Sequence, residues 1–202
     1  KPALKKTYLD DSFGKELGVL WPKICDGVKR GVSFLRSEGI LGAKTLPSEV
    51  AVYLVCALWA NVPEHGYDSE GNARTLIRKA LWRACCTDRY GKTATTRAFA
   101  DYRTLLQMVA GATDGQSPEL FDEENYKLPE IGELVASGWP ARKDRLPRSI
   151  LAISLRHGGL DFADGAPISL DNIDHREYHH LFPRATFPET AGDSYVNRAL
   201  NC

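Results

Sequence analysis

The chain has 202 residues, 43% hydrophobic and 26% charged, a composition that suits an ordinary globular domain with a sizeable core and excludes wholesale disorder. Lys+Arg and Asp+Glu balance at 26 each, so whole-chain charge gives no argument for a polyanionic partner, and any such case rests on local patches. The longest apolar run, Val50 to Ala60, is too short to span a bilayer, which argues against a membrane partner.

Residues 13–38 are expected to form a long helix. Leu17, Leu20, Trp21, Ile24, Val28, Val32 and Leu35 recur at steps of three and four and share one face. Gly39 suits its C-terminal stop, and Pro22 is expected to kink or break it. Pro47 opens a second helix at its first turn, running to about Asn61. A third is expected from an Asn72 N-cap to about Thr87, and a fourth over 95–110. Residues 112–129 read as an acidic loop, and shorter helices follow near 130–137 and 142–157.

After Gly159 the period changes from helix-like to strand-like. Leu160–Ala163 and Pro167–Leu170 read as two short strands about an Asp164-Gly165 turn, and Tyr178–Phe182 as a third strand. The expected fold class is therefore mainly α: a helical scaffold over residues 1–158, then a short β-hairpin and a further strand over 159–202.

Charge is uneven along the chain. Arg74, Arg78, Lys79, Arg83, Arg89, Lys92, Arg97 and Arg103 face only Asp88 and Asp101 within their stretch, whereas residues 114–133 hold seven acidic residues and one lysine. Two solvated faces that partly neutralise each other are the plainer reading. The sharper one puts Arg74, Arg78, Lys79, Arg83, Arg89, Lys92 and Arg97 against a DNA phosphate backbone. Arg89-Tyr90 can alternatively lock the loop after the third helix. The tryptophans read as packing anchors rather than base-stacking platforms. The five cysteines form no C-x-x-C pair and are odd in number, which fits free thiols in a reducing cytoplasm.

Three of the five histidines, His175, His179 and His180, fall within six residues. On a strand, neighbours point to opposite faces, so His179 and His180 can divide labour: one binds a metal, the other takes a proton from water. Phosphodiester hydrolysis needs both roles. The bland alternative is a pair of satisfied polar side chains at a strand end. His175 reads as a loop residue, Glu177 as a solvated or metal-supporting carboxylate, and His65 and His157 as uninvolved.

The string His179-His180-Leu181-Phe182-Pro183, followed by Asn197-Arg198-Ala199-Leu200-Asn201, resembles the opening of HNH (ββα-metal) endonucleases. It is most similar to the C-terminal HNH region of GmrSD-like, modification-dependent restriction proteins. Ala80–Arg83, Asp88–Gly91, Asp101–Arg103 and the Gly158–Ser169 segment are weaker points of similarity. The resemblance implies a ββα-metal motif in a restriction or phage-defence DNA endonuclease using one divalent cation, Mg²⁺ or Mn²⁺. It assigns His179 as metal ligand, His180 as general base and Asn201 as the residue that pins the loop and orients the base. It also implies a further ligand in a later helix and an N-terminal nucleotide-hydrolysing domain with an Asp-Gly-Gln-Gln-Arg string. The sequence ends at Cys202, lacks that string and starts without Met, so it is expected to be a piece of a longer protein. The competing expectation is a helical interaction or regulatory module, or a DNA-binding module without catalysis, in which the motif is only structural.

Overall fold

A computed structural model describes residues 10–63, 67–111, 116–140 and 144–202. The protein is mainly helical. Its helices, in chain order, are α1 (Asp11–Ser37), α2 (Glu49–Trp59), α3 (Tyr67–Cys86), α4 (Ala94–Val109), α5 (Ile131–Ala136), α6 (Arg145–Arg156) and α7 (Asp193–Val196). Short 3₁₀ turns lie at Glu119–Phe121, Ile173–His175, Arg184–Thr186 and Ala199–Asn201. None of the described helices is long and apolar enough to cross a membrane.

The chain divides into two compact units. One comprises Lys1–Ser33, Val50–Ala84 and Asp88–Tyr126; the other comprises Phe34–Glu49, Cys85–Thr87 and Lys127–Cys202. The His65 loop and residues 112–115 and 141–143 lie outside the described residues.

In the first unit, Leu54, Val55, Leu58, Ile77, Ala80, Leu81 and Leu105 are buried. α1 is continuous through Pro22, so of the kink or break expected there the break does not occur. It lies against α2 where Gly27 and Gly31 face Ala60 and Cys56; a methyl group at Gly27 would collide with Ala60, and one at Gly31 would stand 2.7 Å from Cys56 Sγ. α2 starts at Glu49, so Pro47 precedes the helix instead of opening it. α3 begins earlier than expected, at Tyr67, which puts Asn72 inside the helix and not at its cap.

Two arginines hold the loops of this unit from within. Arg83, 3% exposed, donates from Nε to the Leu120 carbonyl (2.6 Å) and from Nη2 to the carbonyls of Tyr126 (2.6 Å) and Asp122 (3.2 Å). Arg89, 2% exposed, grips Asp101 with two parallel hydrogen bonds of 2.9 and 3.1 Å. Its Nη1 also donates to Glu119 and to the Tyr126 hydroxyl. Tyr90 donates its hydroxyl proton to Asp101 (3.0 Å). Burial opposes the Arg89 charge, but the hydrogen bonds it donates to Asp101 and Tyr126 and the Asp101 charge outweigh it and raise its pKa. The acidic 119–126 segment and the basic stretch thus neutralise each other at Glu119–Arg89 and Glu123–Arg83.

In the second unit, α1 ends in a left-handed glycine cap. Gly39 has φ +81°, Ile40 donates to the Leu35 carbonyl and Gly39 to that of Arg36, each at 3.0 Å. A Cβ at Gly39 would also strike the Ala152 carbonyl of α6. α5 carries a reciprocal Glu130/Glu133 capping box. The helix expected over 142–157 is described from Arg145 to Arg156. All five cysteines are unpaired, and burial pushes the thiols of Cys85 and Cys86 up.

The expected strands do not form among the described residues. The segment 160–170 keeps a single isolated antiparallel bridge, Leu160 to Pro167. Its ladder is displaced by local side-chain bonds: Asp161 accepts from Ala163 N (2.7 Å) and Asp164 from Ala166 N (2.9 Å). Asn172 accepts from Ser169 N in the same way (2.8 Å). Tyr178–Phe182 is likewise no strand, because its backbone is met by one asparagine and not by a neighbouring strand.

Removing one partner of a buried ion pair strands the other, at a cost of about 3–5 kcal/mol. Asp101→Ala is therefore expected to lower unfolding free energy by about that much in urea titration. A loss under roughly 1 kcal/mol, the scale of an exposed pair, would show that Arg89 is satisfied without Asp101.

Candidate functional site

The histidine segment is held by its neighbours on both sides. Lys44 Nζ donates to the carbonyls of Asp174 (2.9 Å) and Arg176 (2.6 Å), and the Tyr178 hydroxyl donates to the Lys44 carbonyl (2.6 Å). Burial raises the Tyr178 pKa, against the nearby Arg148 charge. Arg176 pairs with Asp161 (3.1 Å) and Asp164 (2.8 Å), which ties the 160–168 turn to the same segment.

Asn201 is the organising side chain. It is buried in the last 3₁₀ turn. Its Oδ1 accepts from Phe182 N (2.8 Å), and its Nδ2 donates to the carbonyls of Phe182 (3.1 Å) and Val196 (2.9 Å). Its own carbonyl accepts from Leu181 N (2.9 Å). One carboxamide thereby joins the chain just after the histidines to the end of α7. A bridge between Gly138 and Arg198, with Ala199 N donating to the Ser137 carbonyl (2.9 Å), brings the α5 exit alongside.

That arrangement places Trp139 under His180. The rings are stacked, centroids 4.3 Å apart and planes at 26°. Tyr178 meets Trp139 edge-on at 6.5 Å. His180 Nε2 lies 2.8 Å from Asn197 Oδ1. With that oxygen as acceptor, Nε2 carries the proton and Nδ1 keeps a lone pair. A side-chain amide therefore fixes the tautomer that a backbone carbonyl commonly fixes.

His179 faces a different environment. It is 83% exposed, and its Nε2 stands 3.9 Å from Glu177 Oε2. An imidazole and a carboxylate are a donor pair that suits Mn²⁺ or a similar divalent ion, with water completing the shell. Among the described residues no three His, Cys, Asp or Glu side chains converge as a metal-holding group. His175 lies exposed in the 3₁₀ turn before Arg176, and His157 follows α6 as its cap residue.

The basic stretch is dispersed. Arg83 and Arg89, expected to face DNA, are buried and committed to the loops already described. Arg97, half-buried, donates to the Arg89 carbonyl (3.0 Å). Lys79 is exposed and lies over the Phe121 ring (4.4 Å), Lys92 is exposed, and Arg74 and Arg78 are half-buried on α3. The charge run along the sequence is thus not one solvent-facing stripe.

No protein-family model, curated protein or solved structure matches this chain.

Sequence reasoning did not single out Trp139 or assign a role to Asn197. Trp139 is remote in sequence from the histidines, so no local pattern points to it. Asn197 was visible within the downstream Asn-x-x-x-Asn spacing, but only the fold brings it to His180.

Each hydrogen bond contributes roughly 0.5–1.5 kcal/mol, so losing the three side-chain bonds of Asn201 should weaken this corner by about 2–4 kcal/mol. In Asn201→Ala the Phe182 amide is expected to exchange with solvent at least about tenfold faster, whereas Asn201→Asp, which keeps Oδ1, should largely protect it. Equal protection in the alanine variant and the parent would remove Asn201 from this role.

Proposed function

We propose that residues 159–202 are the opening part of an HNH-type, metal-dependent DNA endonuclease domain in a bacterial restriction or phage-defence protein. The observation that carries this reading is the joint placement of His180 and Asn201. The imidazole is oriented by Asn197 and Trp139, while the asparagine fixes the backbone that follows it. A bland pair of surface histidines needs neither support.

In this reading, Asn197 holds the Nε2 proton of His180, and Nδ1 accepts a proton from the attacking water. Trp139 limits the ring to one orientation. His179, with Glu177 beside it, is the cation-binding side of the pair. A divalent ion bound there, Mg²⁺ or Mn²⁺, would stabilise charge on the phosphate and leaving oxygen. Asn201 positions both histidines through the backbone at Leu181 and Phe182. DNA is the proposed substrate, a nucleotide-hydrolysing domain of the same protein the proposed partner, and the reducing cytoplasm the proposed setting, as the unpaired cysteines favour. The DNA contact is assigned to Arg74, Arg78, Lys79, Lys92 and Arg97, without Arg83 and Arg89.

A second reading, a helical interaction or regulatory module or a non-catalytic DNA-binding module with a structural remnant of the motif, is favoured by the exposure of both His179 and Glu177, which suits solvated side chains.

The test is plasmid nicking by the intact protein with Mg²⁺ or Mn²⁺. Positioned general bases contribute about 10²–10⁴-fold, so His180→Ala should lose at least about a hundredfold in rate while still binding plasmid. His179→Ala should raise the metal concentration needed for nicking. Undiminished cleavage by His180→Ala would rule out the proton-acceptor role, and no cleavage by the parent protein would favour the interaction module.

A further inference from the structure

Tyr178 and His180 meet the same indole. Tyr178 stands perpendicular to Trp139 at 88°, ring centroids 6.5 Å apart, and His180 lies stacked on it at 4.3 Å. His179, between them in sequence, is 83% exposed. The segment thus turns two rings onto Trp139 and the ring between them outward. Stacked and perpendicular aromatic contacts oppose different motions, so the two together leave the indole fewer orientations than either alone. The bond between His180 Nε2 and Asn197 fixes one atom of the imidazole and leaves its plane free to swing about that point. The indole is what sets the plane.

Tyr178 is itself anchored away from the histidines. Its hydroxyl donates to the Lys44 carbonyl (2.6 Å). That carbonyl belongs to a loop braced from within and from α6. Thr45, 1% exposed, accepts at Oγ1 from Leu41 N (2.8 Å) and Gly42 N (3.3 Å). Arg148 of α6 donates from Nη1 to the carbonyls of Ala43 and Leu46, each at 3.0 Å. The Lys44 ammonium reaches back to the carbonyls of Asp174 and Arg176, so Lys44 holds the stretch ahead of the histidines by its side chain and its main chain together. A phenylalanine would present the same ring to Trp139. What the tyrosine adds is the hydroxyl, and that hydroxyl is spent on a braced carbonyl.

We propose that Tyr178 is a positioning residue for His180: its bond to the Lys44 carbonyl sets the phenol ring, the phenol ring sets Trp139, and the indole sets the plane of the imidazole. The loop after α1 is thereby coupled to the histidine through two aromatic contacts. Tyr178 acts only through Trp139, independently of the Asn197 bond. Its consequence for catalysis rests on the proposed reading of His180 as proton acceptor. The relay itself needs neither metal nor DNA, which makes the two separable by experiment.

Proton NMR of the intact protein, without metal or DNA, reads the relay directly. The imidazole C–H signals of His180, identified by their loss in His180→Ala, should lie upfield because of the indole beneath them, and Trp139→Leu should abolish that displacement. Tyr178→Leu should lose most of it, and Tyr178→Phe an intermediate part, with the helical circular dichroism of the parent. In plasmid nicking, Tyr178→Leu should lower kcat about tenfold with KM within about twofold of the parent, and Tyr178→Phe should recover most of the loss. A folded Tyr178→Leu protein that keeps the parent's His180 signals would overturn the proposal. So would a Tyr178→Phe protein indistinguishable from the parent, since the hydroxyl would then set nothing; this variant decides alone where Tyr178→Leu fails to fold. A parent that shows the expected displacements yet never nicks DNA would sink the nuclease reading and leave the relay standing.

Discussion

A buried carboxamide has to find partners for both its donors and its acceptor, and Asn201 finds them on two separate stretches of chain. That requirement does in this protein what a strand ladder does elsewhere. It satisfies both peptide groups of Phe182, while the Asn201 backbone carbonyl accepts from Leu181 N, and it ties the histidine segment to α7. The positions of Asn197, and through the Gly138–Arg198 bridge of Trp139, follow from it. Without that one side chain, the stretch after His180 would lose its carboxamide tie to α7, and the Lys44 and Arg176 contacts before it would remain.

Helical content was legible because burial on one face leaves a periodic trace. The stripes of α1 and α4 mark their elements to within two residues at each end. Boundaries set by local chemistry were less legible. Asn72 has the side chain of a cap but lies within α3, and Pro47 has the rigidity of a first turn but stands outside α2. Both residues tolerate several contexts, and tertiary packing decides among them. The strands failed for a related reason. Alternation around an Asp-Gly pair suits a hairpin, yet Asp161, Asp164 and Asn172 each capture a nearby amide and leave one bridge. Short polar side chains competed successfully with a ladder too short to be cooperative.

The site was legible in part. Residue order and the HNH resemblance singled out His179, His180 and Asn201, and the structure sets the three in different surroundings: exposed, stacked and buried. Charge was the least legible property. A linear run of arginines carries no record of which ones turn inward, and Arg83 and Arg89 turn inward because the carbonyls of 120–126 and the Asp101 carboxylate need donors. A guanidinium has five N–H groups in a rigid fork, which suits it to closing loops from within as well as to gripping phosphate. Distinguishing the two uses requires knowing which backbone carbonyls would otherwise be stranded.

The stack of His180 on Trp139 has a thermodynamic consequence of its own. A histidine on an open loop samples several χ1 and χ2 wells, and a proton can be taken from a given direction only in one of them. Here the indole plane and the Asn197 amide remove that rotational freedom when the chain folds. The entropy of ordering this ring is then lost on folding, and the imidazole keeps one direction relative to the indole and the carboxamide.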